Sequence, residues 1–360
     1  MRIIPVECVR SGSFLGKTIY DSEGRILLRE GIPLKDTLLK KIKENNIHQI
    51  YVVDEYSNIE IDDVIRPELR QKSIKTLKEV FININKASKS NLIVDKEHYI
   101  DSVNNIAEEI LNNILDNENI MLSLVDIKNM DNYTYQHSVN VAIISVVIGV
   151  GLKLSKRDLL NLCIGALLHD IGKAFIPNDI IKKPSSLTEE EFKLIKTHPQ
   201  KGYDYLFNNF NISSSSKLII KQHHERVDGL GYPNKLESDS IFRLSKIVSI
   251  ADVYDALTSN RPYRKPIHAN DAVEYIMAHS GTVFDHKLVT VFTKFIVPYP
   301  IGTIVELSTG DTCIVENNNF RYPLRPIVKI LESSDEARKG KTIDLLYALS
   351  TVITKIKYYV

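Results

Sequence analysis

Seven side chains in four short clusters could bind divalent metal ions. They are five histidines and two aspartates: His137, His169, Asp170, His198, His223, His224 and Asp252. Imidazole nitrogens and carboxylate oxygens are common donors to divalent transition metals in proteins. A lone histidine in an apolar segment is more often a packed or surface residue. The prediction of a metal centre therefore depends on the local sequence around each cluster.

His169 and Asp170 end an apolar, periodic segment that predicts a buried helix, and Gly172 then marks the end of that helix. Burying a histidine beside a carboxylate without partners would be costly. Asp252 presents the same difficulty inside the apolar segment 247–257, which contains no cationic side chain. A bound metal ion would satisfy both carboxylates.

The other three histidines have weaker local signals. His198 precedes Pro199, which disfavours helical conformation at the residue before it and suits the start of a helix. This predicts a helix junction at which the imidazole can point inward. His223 and His224 are adjacent, so on a helix they would diverge by about 100 degrees and meet one ion only at its rim.

Longer motifs around these residues resemble those of the HD-GYP family. They are His169-Asp170-Ile171-Gly172-Lys173, Gln222-His223-His224-Glu225-Arg226 running into Asp228-Gly229-Leu230-Gly231-Tyr232-Pro233, and Asp252-Val253-Tyr254-Asp255-Ala256-Leu257 with Arg261-Pro262-Tyr263-Arg264. The match is ordered and covers roughly residues 120 to 295. The resemblance implies a mainly α fold with a helical HD-superfamily core. It also implies two or three iron or manganese ions and hydrolysis of the bacterial second messenger cyclic di-GMP.

The resemblance also assigns the ligands of two metal ions. His137, His169, Asp170 and Asp252 match the ligands of the first ion, and His198, His223 and His224 match those of the second, with Asp170 as the bridge. Two metal ions can lower the pKa of a bridging water and neutralise charge on the phosphoryl oxygens. Attack by a metal-bridging hydroxide then requires no protein nucleophile.

Four further residues are expected to act on the substrate. Lys173 is expected to be catalytic with Asp170 and to approach the scissile phosphate or the leaving group. Arg261 and Arg264 match phosphate-contacting positions of the family, and their spacing of three permits a two-pronged grip on a second phosphate. Tyr232 either contacts the nucleotide or packs within its own glycine-containing loop.

Three neighbouring residues are expected to support the ligands. Asp255 follows Asp252 by three residues and is expected to orient the site rather than to bind metal. Glu225 and Arg226 are expected to form a pair that fixes a histidine.

Tyr133 departs from part of the family. Some members carry, four residues before the first histidine, a glutamate that helps to hold a third metal ion, whereas this chain has a tyrosine. A phenol is a poor ligand near neutral pH. The sequence therefore favours two metal ions and, by family analogy, the linear dinucleotide pGpG rather than GMP as the final product.

Length and composition favour a cytoplasmic protein of several parts. The chain has 360 residues, a formal net charge of +1 and three cysteines, Cys8, Cys163 and Cys313. This charge gives no overall attraction to nucleic acid polymers or membranes, and the widely separated cysteines suggest a reducing compartment. The longest apolar segment, Val139–Leu152, contains Asn140 and predicts a buried helix rather than a membrane span. The N-terminus lacks the pattern of a signal peptide.

Four regions are predicted along the chain. Residues 1–62 form a small α+β domain, with a hairpin around 21–24, a helix over 35–44 and a strand over 50–52. Residues 63–120 form a helical connector with helices over 69–84 and 99–114, and residues 121–295 form the catalytic domain. Residues 296–360 form a β-rich extension with strands over 303–307, 312–315 and 326–331, and with a turn over 316–319.

Two alternatives to the phosphodiesterase remain at this point. The chain could be a signalling module that binds a cyclic dinucleotide with little turnover, or another HD-superfamily nucleotide phosphohydrolase. The complete ligand set argues against the first, and the Gly-Tyr-Pro loop argues against the second. The expected partners are cyclic di-GMP, a second copy of the chain, and signalling proteins that bind the terminal domains. The sequence does not decide between iron and manganese as the metal, or between cyclic di-GMP and the mixed cyclic GMP-AMP as the substrate.

Overall fold

The computed structural model describes residues 1–21, 24–45, 47–56, 63–90, 96–117, 133–181, 183, 185–208, 211–259, 267–319 and 321–359. Two compact units are distinguished. Among the described residues, the first contains 1–63 and 296–359, and the second contains 64–117 and 133–295.

The N-terminal part of the first unit is a small α+β arrangement. Its elements are β1 (Arg2–Pro5), β2 (Phe14–Leu15), β3 (Ile19–Tyr20), β4 (Ile26–Leu28), α1 (Asp36–Glu44) and β5 (Gln49–Val53). The strands β1, β5 and β2 form one antiparallel sheet, and β3 pairs with β4. The predicted hairpin, helix and strand are therefore confirmed, although turn residues 22 and 23 lie outside the described residues.

The C-terminal part of the first unit is a five-stranded antiparallel sheet. Its strands are β6 (Ile304–Leu307), β7 (Thr312–Asn317), β8 (Ile327–Glu332), β9 (Thr342–Asp344) and β10 (Ile353–Lys357), in the order β10-β6-β7-β8-β9. The three predicted strands are confirmed. The turn predicted over 316–319 is wrong at its start, because Asn317 still pairs with Ile327 and Glu316 accepts a hydrogen bond from Thr342 across the sheet.

Both ends of the chain pack within this unit. The Arg2 guanidinium forms an ion pair with Asp54 at 2.7 Å and donates to the backbone carbonyl of Tyr358 at 3.0 Å. Tyr358 also packs against the apolar core formed by the first 52 residues. The predicted division of the chain into four regions stays a prediction. The first compact unit contains both the first and the last of these regions.

The second unit is helical. Its helices are α2 (Pro67–Ser90), α3 (Lys96–Leu115), α4 (Tyr133–Gly151), α5 (Lys156–Leu168), α6 (Asn178–Ile181), α7 (Glu189–Ile195), α8 (His198–Leu206), α9 (Ser214–Gln222), α10 (Arg243–Thr258), α11 (Ala269–Ala278) and α12 (His286–Phe295). Both helices predicted in the connector are confirmed as α2 and α3. Side-chain caps fix several starts: Ser155, Thr188 and Ser213 accept the backbone N–H three residues ahead, at α5, α7 and α9.

Helix α4 is the centre of this unit. It contacts α2, α3, α5, α10 and α12. Its segment Thr134–Gly151 is long and apolar enough to cross a membrane, but 72% of that segment is buried inside the structure. A helix that is apolar on all sides is expected at such a buried position. The buried helix predicted at Val139 is confirmed, and it extends back to Tyr133.

Candidate metal centre

Helix ends position most of the candidate ligands. His169 and His223 are the residues that directly follow α5 and α9, and His198 is the first residue of α8. His137 and Asp252 lie inside α4 and α10. Five helices therefore direct their ligands to one region of the second unit.

Three of the histidines share one hydrogen-bond pattern. In each, ring atom Nδ1 lies within hydrogen-bond distance of the carbonyl oxygen three residues earlier in the chain. The distances are 2.7 Å from His169 to Ala166, 2.8 Å from His198 to Ile195 and 2.9 Å from His223 to Ile220. Because a carbonyl can only accept, Nδ1 must carry the proton. The lone pair of each ring is therefore on Nε2, which is the arrangement found in metal-binding histidines.

The ligand atoms form two groups with Asp170 between them. One group contains His137, His169 and Asp170, and the other contains His198, His223 and His224; within each group the ligand atoms lie within 4.8 Å of one another. Asp170 Oδ2 is 3.5 Å from His169 Nε2 and 4.0 Å from His137 Nε2. The other oxygen, Oδ1, is 3.3 Å from His198 Nε2. Each oxygen of Asp170 thus faces a different group.

Asp252 also reaches both groups. Its Oδ1 is 3.0 Å from His137 Nε2, and its Oδ2 is 3.6 Å from His224 Nδ1. The rings of His223 and His224 lie 4.1 Å apart. The predicted divergence of these two rings is wrong, because α9 ends at Gln222 and the two residues do not continue a regular helix.

Two further observations indicate that these residues suit a divalent metal ion. Among the described residues, His169 Nε2 and Asp170 Oδ1 are buried and have no hydrogen-bond partner. Buried polar atoms are normally satisfied, so both atoms are orphaned at a position where a cation would bind them. The donors are imidazole and carboxylate without thiolate, which suits iron or manganese.

Electrostatics favour the protonation states that metal binding requires. Burial lowers the pKa of His169 and His223, and it lowers that of His224 to about 3. Burial alone would raise the pKa of Asp170, but the charge of the Lys173 ammonium group holds it well below its usual range. These imidazoles are therefore neutral and Asp170 is ionised near neutral pH.

His137 is the exception among the ligands. Burial lowers its pKa, but hydrogen bonds and charge from Asp252 and Asp255 outweigh burial and raise it to about 9. Asp252 is held ionised in turn, because the hydrogen bond from His137 outweighs burial and keeps the Asp252 pKa well below its usual range. Metal binding to His137 must therefore release a proton.

A hydrogen-bonded chain supports His137 from outside the ligand set. His137 Nδ1 is 2.8 Å from Asp255 Oδ2, and Asn140 donates to Asp255 Oδ1 at 2.9 Å. Ser259 donates to Asp255 Oδ2 at 2.9 Å, and Arg70 donates to Asn140 at 2.6 Å. The expected orienting role of Asp255 agrees with this geometry. Arg70 and Asn140 were not among the predicted site residues, although Asn140 lies one turn after His137 in an otherwise apolar segment.

The loop that contains Tyr232 is fixed by Glu225. This buried carboxylate accepts the backbone N–H groups of Asn234 at 2.7 Å and Leu236 at 2.9 Å. Arg226 pairs instead with Asp228. The predicted Glu225–Arg226 pair is therefore wrong, because the loop backbone supplies the donors that Glu225 needs.

Tyr232 is held against the second histidine group. Its ring stacks on that of His224 with centroids 4.6 Å apart, and its backbone N–H donates to the His224 carbonyl at 3.2 Å. At Gly231, an added Cβ would overlap the Arg226 backbone nitrogen, so this close approach requires glycine. Burial raises the pKa of Tyr232, which keeps its hydroxyl protonated.

Lys173 lies at the edge of the metal centre. Its Nζ donates to Asp170 Oδ2 at 2.6 Å, and its side chain remains 31% exposed. Arg261 and Arg264 lie outside the described residues, and of Tyr133 only the backbone is described. Their predicted roles stay predictions.

One cavity of about 410 Å³ opens onto the ligands. Its polar lining comes mainly from residues of the metal centre: His137, Asp170, Lys173, His198, His224 and Asp252. The rest of its lining is largely apolar: Ile176, Ile181, Leu187, Phe192, Ile195, Val253, Ala256 and Leu257. The volume is in the range of small-ligand pockets.

The HD-domain family model matches residues 110–288. This segment is an HD domain. It carries all seven candidate ligands, and its helices confirm the predicted mainly α fold, with strands in the terminal parts. The resemblance to the HD-GYP family is confirmed by this match together with the relatives below.

The chain is similar to several curated phosphodiesterases. It is 36% identical to the cyclic di-GMP phosphodiesterase PA4108 of Pseudomonas aeruginosa, over 67% of this chain and 57% of that protein. It is 32% identical to the cyclic di-GMP phosphodiesterase PdeB of Borreliella burgdorferi, over 59% of this chain and 55% of that protein. It is also 32% identical to the 3'3'-cGAMP-specific phosphodiesterase 3 of Vibrio cholerae, over 45% of this chain and 35% of that protein. The chain thus spans only a little over half the length of the first two relatives.

Proposed function

We propose that the HD domain is a metal-dependent phosphodiesterase that hydrolyses cyclic di-GMP. The observation that carries this proposal is the position of Asp170, whose two oxygens face different histidine groups inside one cavity. The names of the relatives from Pseudomonas aeruginosa and Borreliella burgdorferi support the substrate.

The proposed cofactor is a pair of divalent ions, iron or manganese. His137, His169, Asp170 and Asp252 would hold the first ion, and His198, His223 and His224 would hold the second, with Asp170 shared. When bound, such a pair activates water and neutralises phosphoryl charge.

The protein's own residues would bind and orient the substrate. Lys173 presents a cation at the cavity, 2.6 Å from Asp170 Oδ2, where it can contact the scissile phosphate or protonate the leaving group. Tyr232 lines the same cavity and would contact the nucleotide. Arg261 and Arg264 would bind the second phosphate.

The remaining parts of the proposal concern product, location and assembly. Tyr133 in place of a glutamate favours two metal ions, and with them pGpG rather than GMP as the product. Cys8, Cys163 and Cys313 are all unpaired in the structure, which supports a cytoplasmic location. We expect a homodimer, with the unit built from the chain ends binding signalling partners.

A mixed cyclic GMP-AMP substrate is the second candidate. It is favoured by the Vibrio cholerae relative, whose name specifies 3'3'-cGAMP. The metal centre would serve either substrate, because both contain the same phosphodiester linkage.

The test is purification without oxygen, addition of Mn²⁺ or Fe²⁺, and chromatography of the products from cyclic di-GMP and cyclic GMP-AMP. We expect pGpG with about two metal ions per chain. Asp170→Ala should lower kcat by more than about a hundredfold. Loss of a residue that only hydrogen-bonds to a metal ligand already lowers activity or metal affinity 10- to 100-fold. The exposed Asp239→Ala is the matched control. An unchanged rate in Asp170→Ala would contradict the proposal, and binding without turnover in the wild type would indicate a signalling module.

A further inference from the structure

The cavity has an aromatic residue that the metal centre does not use. Phe192 lies on α7 and lines the cavity, yet 46% of its side chain is exposed. Helix α7 has no buried residues. Its apolar side chains are therefore exposed or only partly buried.

Helix α7 is fixed in position at both ends. At its start, Thr188 and Glu191 form a capping box, and Lys183 pairs with Glu191 at 2.6 Å. At its end, the Ile195 carbonyl is 2.8 Å from Nδ1 of the ligand His198. Phe192 and Ile195 are three residues apart, so they share one face of the helix. The Phe192 ring is thus about one helical turn from the residue that orients a metal ligand.

Lys196 supports two rings of the cavity. Its Nζ lies 4.5 Å from the ring centroid of Phe192 and 5.5 Å from that of Tyr232. Lys196 itself is not among the residues that line the cavity. Among the described residues, no ion pair or hydrogen bond engages its ammonium group. A cation placed over aromatic faces attracts both rings and holds them in place.

On the basis of the function proposed above, we infer that Phe192 binds a purine base of the cyclic dinucleotide by stacking, and that Lys196 positions its ring. The phosphodiester would lie at the polar residues of the lining, beside Lys173 and Asp170. The attached base would then meet apolar residues of the same lining, among which Phe192 offers an exposed aromatic face. Any nucleic-acid base can stack on such a face, because every base has a flat π-face.

A purely structural role for Phe192 is the competing explanation. Leu187 and Phe192 occupy the two positions of a hydrophobic staple around the N-cap Thr188. Phe192→Leu separates the two roles, because leucine preserves an apolar staple but removes the flat ring. Phe192→Trp preserves the ring. Phe207→Leu is the matched control, since Phe207 is 57% exposed and does not line the cavity.

The experiment compares KM and kcat for cyclic di-GMP and cyclic GMP-AMP in the wild type and these variants, with metal content and Tm measured in parallel. We expect Phe192→Leu to raise KM about tenfold with kcat and metal content unchanged, and Phe192→Trp and Phe207→Leu to resemble the wild type. Lys196→Met should raise KM by a smaller factor. A lower Tm with unchanged KM in Phe192→Leu would overturn the inference and leave the staple as the role of this residue.

The same proteins separate this inference from the proposed function. If the wild type shows no turnover, the proposed function fails, and calorimetric Kd values for the two cyclic dinucleotides replace KM. A weaker Kd in Phe192→Leu alone would still support base stacking. Equal Kd values in all variants, or no binding of either dinucleotide to the wild type, would overturn it.

Discussion

At the scale of single residues, metal binding depends on which ring nitrogen of each histidine carries a proton. The motifs identified the seven candidate ligands, because their residue types and order are unusual in apolar segments. The acceptors of His169, His198 and His223 could not be predicted in the same way, since any residue supplies a backbone carbonyl. The role of Arg70 could not be predicted from the sequence either, because it lies 70 residues from its partner Asn140.

Asp255→Asn should weaken metal binding without unfolding the domain. Asp255 accepts hydrogen bonds from His137, Asn140 and Ser259, and an amide cannot accept from all three. We expect a 10- to 100-fold loss of metal affinity, the usual effect of losing an outer-shell partner. Competition with a metal-binding dye measures it, and Asp239→Asn is the control. Equal affinities in the two variants would show that Asp255 does not act through His137.

At the scale of elements, the centre is built where helices end. The sequence located the end of α5 correctly, because Gly172 is a strong signal. It did not predict that His223 and His224 converge, since no glycine or proline marks the end of α9 at Gln222. Convergence there depends on the loop through Gly231, which packs against the His224 carbonyl.

Gly172→Ala should disturb the element that carries His198. An added Cβ at Gly172 would overlap the His198 carbonyl and lie 2.7 Å from the Gly202 nitrogen, so α8 would have to shift. We expect the free energy of unfolding to fall by about 3 kcal/mol, at the upper end for an overpacked site, together with lower metal content. Urea unfolding and metal analysis measure the two effects.

The control for Gly172→Ala is Gly281→Ala. Gly281 has a φ of +86° and open space around it, so alanine there meets only backbone strain. We expect that strain to cost about 1 kcal/mol with metal content unchanged. If both variants lose metal equally, the close approach at Gly172 is not what positions His198.

At the scale of the whole molecule, the chain divides into a helical unit and a unit made from its two ends. The sequence predicted both sets of strands from local patterns. It could not predict that the two sets of strands belong to one compact unit, because the contacts of Arg2 with Asp54 and Tyr358 arise only in the folded chain. Among the described residues, the candidate metal ligands lie in the helical unit.

Removing metal should therefore lower the stability of only one unit. A ligand at 100 times its Kd stabilises the folded state by about 2.7 kcal/mol. For a domain of about 200 residues, this corresponds to a Tm change of about 5 to 10 °C. Differential scanning calorimetry with Mn²⁺ and with EDTA should show one transition that moves and one that does not. A single transition that shifts as a whole would contradict the expectation that the two units unfold independently.

The packing of Tyr358 against the core of the first 52 residues also has a consequence for the order of events during translation. Synthesis adds about 5 to 20 residues per second, so roughly 15 to 60 s separate the emergence of the first strands from that of their last partner. The helical unit can finish folding within that interval. The N-terminal residues, although made first, keep the apolar surface that Tyr358 covers exposed until the end of synthesis.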